Sequence, residues 1–235
     1  MRLLVPALLA VLSLAPAAAQ PAVPQIAEPL VFDMVRGLGA RQGELETNVL
    51  ATTPLSGQER VLEWAPEIEY AVADNLAIEF ELPFENRYLA ELKVGVQGTF
   101  GTLDGGRIVH GFQYLGLYDR HDGSVSNALL YLIGRRHSPR WSTMTMVGVG
   151  DVRLGQSEEF AGLLVNHSTF YDLSNRTVLG LEINWKTGPD GGLLLMPQIH
   201  RALTDHWKVQ AGAGVDNQRG ARARPVGGLR VIREF

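Results

Sequence analysis

Between residues 62 and 84 apolar and acidic side chains alternate almost without fault. Leu62, Trp64, Pro66, Ile68, Tyr70 and Val72 fall on one side, and Glu63, Glu67 and Glu69 on the other with Ala65 and Ala71. After Ala73-Asp74-Asn75 the phase resumes, with Leu76, Ile78, Phe80, Leu82 and Phe84 against Glu79, Glu81 and then Glu85. A period of two marks strands with unlike faces. Two such runs joined by a short polar turn predict a β-hairpin. One face suits lipid or a core; the other carries six carboxylates, which need water or cations.

The same pattern sets the register. A three-residue loop, Ala73-Asp74-Asn75, pairs Val72 with Leu76, Tyr70 with Ile78, Ile68 with Phe80 and Trp64 with Phe84. It keeps unlike residues on unlike faces, and it predicts a type I turn with Asn75 in the left-handed region. It also sets Glu69 opposite Glu79 and Glu67 opposite Glu81. Opposed like charges are destabilising. Basic partners from elsewhere, protonated carboxyls or bound cations are therefore expected.

Alternation of this kind continues along the chain. A strand over 43–52 sets Leu45, Thr47, Val49 and Ala51 against Glu44, Glu46 and Asn48. Another over 88–100 sets Leu92, Val94 and Val96 against Glu91, Lys93 and Gln97. Four strands near 108–118, 125–135, 141–152 and 160–172 are blurred, because both faces carry apolar residues or glycine. Clear alternation returns over 176–185 and 207–215, with further strands near 193–202 and 223–235. The total is about twelve, an even number, as single-chain bacterial barrels have. Short turns at 73–75, 173–175 and 204–206 alternate with longer loops at 53–60, 153–159, 186–191 and 217–222. That asymmetry suits periplasmic turns and outer loops; 86–87 and 101–106 depart from it. Aromatic residues sit towards strand ends, among them Trp64, Phe84, Tyr88, Trp141, Trp185 and Trp207. The predicted fold is all-β, an antiparallel up-and-down transmembrane β-barrel with its apolar side outward.

Composition adds the compartment. Met1-Arg2, an apolar run over 3–14 and Ala17-Ala18-Ala19 read as a secretory signal, residues 1–19, cleaved after Ala19. A Pro-rich lead over 20–42 is expected to be flexible, its apolar stretch 30–35 packing in the lumen or on the periplasmic rim. The barrel then occupies 43–235. The absence of cysteine excludes disulfides, thiolate metal sites and a lipoprotein anchor. Phe235 ends the chain, with Leu229 and Val231 on its face, an arrangement similar to the signal by which the barrel-assembly machinery recognises its substrates. Arg233 departs from that pattern.

The stretches LEWAPEIEYAVADNLAIEFELPFE and HGFQYLGLYDRHDG carry a resemblance. In style and layout the chain from residue 20 onward resembles the small outer-membrane β-barrel transporters grouped under the meta-pathway of phenol degradation. The resemblance implies passage of small organic compounds across the outer membrane. It carries over no functional residue.

Charge is segregated. Residues 44–91 hold eleven acidic and two basic side chains, and residues 200–235 seven basic and three acidic. Closure of a barrel would bring these ends together, so Lys208 and Arg230 are expected to meet Glu44 and Glu46 and to reach toward the hairpin. The candidate lumen-facing set is Glu44, Glu46, Glu63, Glu67, Glu69, Glu79, Glu81, Glu85, Lys93, Lys208 and Arg230. It fits a structural network of paired charges, a polar solute path, or clustered carboxylates that take a divalent cation. No ligand spacing, nucleotide loop or nucleic-acid motif is present, so no metal, cofactor or nucleic acid is expected. His167-Ser168 with Asp172 suggests a hydrolase, but neighbours on a strand point to opposite faces. The expected partners are outer-membrane lipid, the assembly machinery and a small organic solute. A solute channel, a plugged structural barrel and a soluble ligand-binding barrel with reversed faces are the three functions to separate.

Overall fold

The computed structural model describes residues 23–32, 34–57, 60–153, 162–188 and 191–235. The expected signal segment with Ala19, and most of the loop expected over 153–159, lie outside these residues. Twelve strands form one ring. They are β1 (Leu45–Pro54), β2 (Glu63–Ala73), β3 (Leu76–Glu81 and Phe84–Glu85), β4 (Tyr88–Leu89 and Glu91–Leu103), β5 (Ile108–Asp119) and β6 (Val125–Arg136). The second half is β7 (Trp141–Arg153), β8 (Gly162–Ser174), β9 (Thr177–Lys186), β10 (Gly192–Ala202), β11 (Trp207–Gln218) and β12 (Arg224–Glu234). Each strand pairs antiparallel with the next, and β12 closes on β1 from Glu46↔Glu234 to Pro54↔Val226. Strand β3 is broken at Leu82-Pro83, where proline has no N–H for the ladder, although its carbonyl still accepts from Ala90 at 2.9 Å.

The hairpin has the expected register along most of its length: Glu67 faces Glu81, Ile68 faces Phe80, Glu69 faces Glu79 and Trp64 faces Phe84. One correction falls at the turn. Leu76 lies opposite Ala73 rather than Val72, because Val72 is an extra bulged residue. Asn75 is left-handed, with φ 66°. A second bulge, between Thr99 and Gly101, lets β4 run past the expected end at Phe100 to Leu103.

The two faces of the ring differ as lipid and lumen should. Phe80 is 45% exposed on the outside, together with Ile68, Tyr70, Ile78, Val94, Leu129 and Tyr131, while Glu69 is 0% exposed inside. An apolar belt of that extent is far beyond the exposed patches of soluble monomers. The soluble reading, which needed glutamates in solvent and an apolar cavity, therefore has its faces reversed. Aromatic residues mark the strand ends, where Trp64 and Phe84 stack at 4.4 Å. The departure at Arg233 has a local cause, since its guanidinium lies over Phe235 at 4.5 Å and Trp207 at 5.3 Å.

The inner faces are of two kinds. Strands β1 to β4 turn inward Glu46, Asn48, Glu67, Glu69, Glu79, Glu81, Lys93 and Gln97, all buried. Strands β5 to β8 turn inward Val109, Leu130, Leu132, Met144, Met146 and Phe170, which form one apolar cluster. This cluster explains the blurred middle of the sequence: there, both faces are apolar because the lumen face packs against protein. Its partner is the N-terminal segment, which places Met34 and Leu38 in the cluster.

Phe80→Arg, on the outer face, should cost about 2–4 kcal/mol of folding into lipid vesicles. Glu79→Gln, one strand position away on the lumen face, should cost less, because it relieves the opposition to Glu69 and leaves Lys93 paired with Glu81. Equal losses in equilibrium refolding would overturn the assignment of faces.

Candidate functional site in a plugged lumen

Residues 23–32 and 34–40 form an irregular segment inside the ring. Irregular backbone at membrane depth is tolerable only where protein satisfies its polar groups, and here barrel side chains do so. The Glu182 carboxylate, from β9, accepts N–H bonds from Leu30 (2.9 Å), Val31 (3.0 Å) and Phe32 (2.6 Å). Asn184 Nδ2 and Gln198 Nε2 donate to the same carboxylate at 2.7 and 3.2 Å. Three successive main-chain N–H groups on one anion make a nest. Val35 N–H donates to Gln113 Oε1 at 3.2 Å, Gln97 donates to the Arg36 carbonyl, and Gly39 N–H donates to Thr99 Oγ1 at 2.8 Å. Glycine on the inner face leaves room for this segment. A Cβ on Gly95 would stand 2.5 Å from Val35 Cγ2, and one on Gly212 2.8 Å from Leu30 Cδ2.

The segment turns at mid-depth. Leu30, Met34 and Val35 are buried there, and the side chains around them, Glu69, Gln113, Leu132, Glu182 and Met196, have 0% exposure. The lumen is therefore closed at that level. Below it, a cavity of about 390 Å³ opens at the short-turn end, lined by Glu28, Arg36, Glu44, Glu46, Met144 and Lys208 among others.

The carboxylates form two rows across neighbouring strands. Glu234, Glu46, Glu69 and Glu79 stand in one, and Asn48, Glu67, Glu81 and Lys93 in the next. Their cations come from barrel and plug. Lys93 Nζ lies 3.2 Å from Glu79 and bonds Glu81. Arg36, from the plug, reaches Glu44 and Glu46 at 3.3 Å and Glu69 at 3.7 Å. Arg230, 1% exposed, acts electrostatically on Glu67, Glu28, Glu69 and Glu81. Asn48 Nδ2 adds a bond to Glu69 at 2.8 Å and another to Glu67. Oxygens of Glu67, Glu79 and Glu81 come within 4.8 Å of one another, which is a spacing a metal could use, but the Lys93 ammonium occupies their neighbourhood.

Of the candidate residues, Glu46, Glu67, Glu69, Glu79, Glu81, Lys93 and Arg230 come together in the lumen. Arg230 reaches the hairpin as expected, and Lys208 acts electrostatically on Glu46 while bonding Glu234 at 2.5 Å. One expected pairing is corrected: the direct ion pairs of Glu44 and Glu46 are with Arg36, from the plug. Glu63 and Glu85 face each other at the exposed long-loop rim, outside the network, because the strands outrun the plugged depth. His167 points outward, bonded to Thr145 at 2.8 Å, while Ser168 is buried on the inner face. Arg36 and Glu182 were missed as site residues. Arg36 lies outside every strand, so periodicity says nothing of it. Glu182 is readable only as one inward carboxylate, on the phase of Arg176 and Lys186, and nothing in that pattern points to main-chain donors.

Comparison with known proteins follows the geometry. A sequence family described as HAEPLYID-like matches residues 24–126. No curated protein matches the chain. Among solved structures, an outer membrane channel from Pseudomonas putida F1 is similar at 13% identity, with TM-score 0.66 over 84% of this chain and 97% of that one. The KdgM porin is similar at 9% identity, with TM-score 0.64 over 81% and 99%. The CymD monoaromatic hydrocarbon channel follows at 7% identity, with TM-score 0.52 over 83% and 89%. These likenesses are of fold: a closed antiparallel barrel of the small outer-membrane channel type.

Hydrogen bonds to charged acceptors are worth about 1.5–3 kcal/mol each, and every 1.4 kcal/mol is about tenfold in population. Glu182→Ala should therefore speed trypsin cleavage after Arg36 in detergent micelles by about tenfold or more, while the barrel stays folded by its gel mobility. An unchanged cleavage rate in a folded barrel would show that Glu182 does not hold the plug.

Proposed function

We propose that the protein is an integral outer-membrane channel for small solutes, shut by its own N-terminal segment and opened when that segment shifts. One observation carries this. The ring is complete without the plug, since all twelve strands pair in sequence and β12 closes on β1. The obstruction is one stretch of chain held by side-chain hydrogen bonds, the ion pairs of Arg36 and apolar contact of Met34 and Leu38, none of them a strand pairing. An obstruction built from strand side chains would be permanent; this one can leave and still leave a barrel. The fold shared with the KdgM porin and the CymD hydrocarbon channel supports the channel reading, and the resemblance that the sequence bears to the meta-pathway transporters supports small organic compounds as cargo. A polyanion such as the oligogalacturonate named with KdgM would meet five buried carboxylates here. Export by residues 1–19, insertion through the assembly machinery at Phe235, and outer-membrane lipid around the belt complete the proposal. Glu46, Glu67, Glu69, Glu79 and Glu81 line the path.

The rival, a permanently plugged structural barrel, draws on the zero exposure at mid-depth. A crosslink separates the two. The chain has no cysteine, and Leu30 Cγ lies 3.7 Å from where a Cβ on Gly228 would stand. In planar bilayers, Leu30→Cys/Gly228→Cys should be silent when oxidised and conduct intermittently when reduced, as the natural protein does. Well-folded protein that passes no current in any state, Glu182→Ala included, would make it the structural barrel.

A further inference from the structure

The two walls of the lumen ask for one kind of solute, and the plug shows which. On the acidic wall five buried carboxylates, Glu46, Glu67, Glu69, Glu79 and Glu81, face three barrel cations, Lys93, Arg230 and, near Glu46, Lys208. A fourth cation, Arg36, is supplied by the plug. Met34 and Leu38, two residues either side of Arg36, meet the opposite wall of Leu130, Leu132, Met144 and Phe170. The plug thus offers a cation to one wall and an apolar body to the other. A further sign lies at the lip of the cavity. Glu46 is 4% exposed, it lines the cavity, and its Oε1 has no hydrogen-bond partner among the described residues. A buried carboxylate oxygen left unmet is costly and calls for a donor.

We infer that the lumen takes organic cations with an apolar body, such as arylalkyl ammonium ions, at the seat that Arg36 holds in the closed state. This rests on the proposed channel in one respect, that the plug can leave its seat; binding does not need the solute to cross. An ammonium group supplies donors to Glu46 and Glu69 and replaces the Arg36 charge. An aromatic or alkyl body covers the apolar wall that Met34 and Leu38 vacate. An anion of the same size meets carboxylates. A neutral sugar satisfies neither wall, and an inorganic cation satisfies only one.

The test uses phenethylammonium and phenylacetate, ions of matched size and opposite charge. In bilayers the full chain should be cation-selective and should pass phenethylammonium at least about tenfold better than phenylacetate, with the preference reduced in Glu46→Gln. Current without that preference, or with the reverse, overturns the inference and leaves the channel standing. If no variant passes current, the channel reading fails and calorimetry on the detergent-solubilised protein decides. Binding of phenethylammonium but not phenylacetate, weakened in Glu46→Gln and retained in Glu63→Gln at the rim, supports the seat. No binding, or binding indifferent to Glu46→Gln, overturns it.

Discussion

In hydrocarbon a backbone amide has no water to turn to, and the closure of β12 onto β1 is how this chain meets that constraint. Everything else follows from the ring. Closure assigns every strand residue to lipid or lumen. The lipid side tolerates only apolar groups at mid-span, so charge there is driven inward, and outward cations such as Arg135, Arg201 and Arg233 stand at strand ends. The lumen is narrow, so the charge gathered there must be answered from within. Five buried carboxylates on neighbouring strands exceed what Lys93, Arg230 and Lys208 of the barrel supply, and the chain makes up part of the difference with a residue that belongs to no strand, Arg36.

The legibility of the sequence follows the same division. Where one face is lipid and the other charged, as in β2 and β3, alternation is clean, and fold, faces and nearly the whole register can be read from it. The bulge at Val72 is a single extra residue at a turn, and either turn description keeps the faces, so pattern alone could not choose. Where the inner face is apolar, as at Leu130, Leu132, Met144 and Met146, the alternation fades although the strands are regular. The plug has no period; its apolar run over 30–35 is visible and fits lumen or periplasmic rim alike, and the pattern does not choose between them. Candidate charges were recognised as inward by phase, and their partners only in part. Phase and closure lead Arg230 to the hairpin and Lys208 to the side of Glu46, but the direct ion pairs of Glu44 and Glu46 come from Arg36, which lies in no strand.

The plug is held in two chemically different ways. At its turn, neutral main-chain donors of Leu30, Val31 and Phe32 meet Glu182, a contact that cations in solution do not compete for directly. Further along, Arg36 meets three carboxylates, a contact that another cation can replace. Removing one partner of a buried charge network costs several kcal/mol when nothing takes its place. The second hold is therefore strong only while the seat has no other occupant.

The cost of moving the plug depends on whether water follows it. If the lumen stayed dry, Glu182 would lose three of its five donors with no substitute, a penalty of several kcal/mol that would make the obstruction permanent. A segment that withdraws toward the open short-turn end leaves space continuous with solvent, and water then takes the place of the N–H groups. The net loss falls to about 1 kcal/mol per hydrogen bond exchanged. What water cannot replace is the contact of Met34 and Leu38 with the apolar wall, at about 25 cal/mol per Å² of surface re-exposed. The hydrophobic cluster, more than the charges, thus sets how firmly the barrel is closed, and a solute with an apolar body is the one that lowers that term.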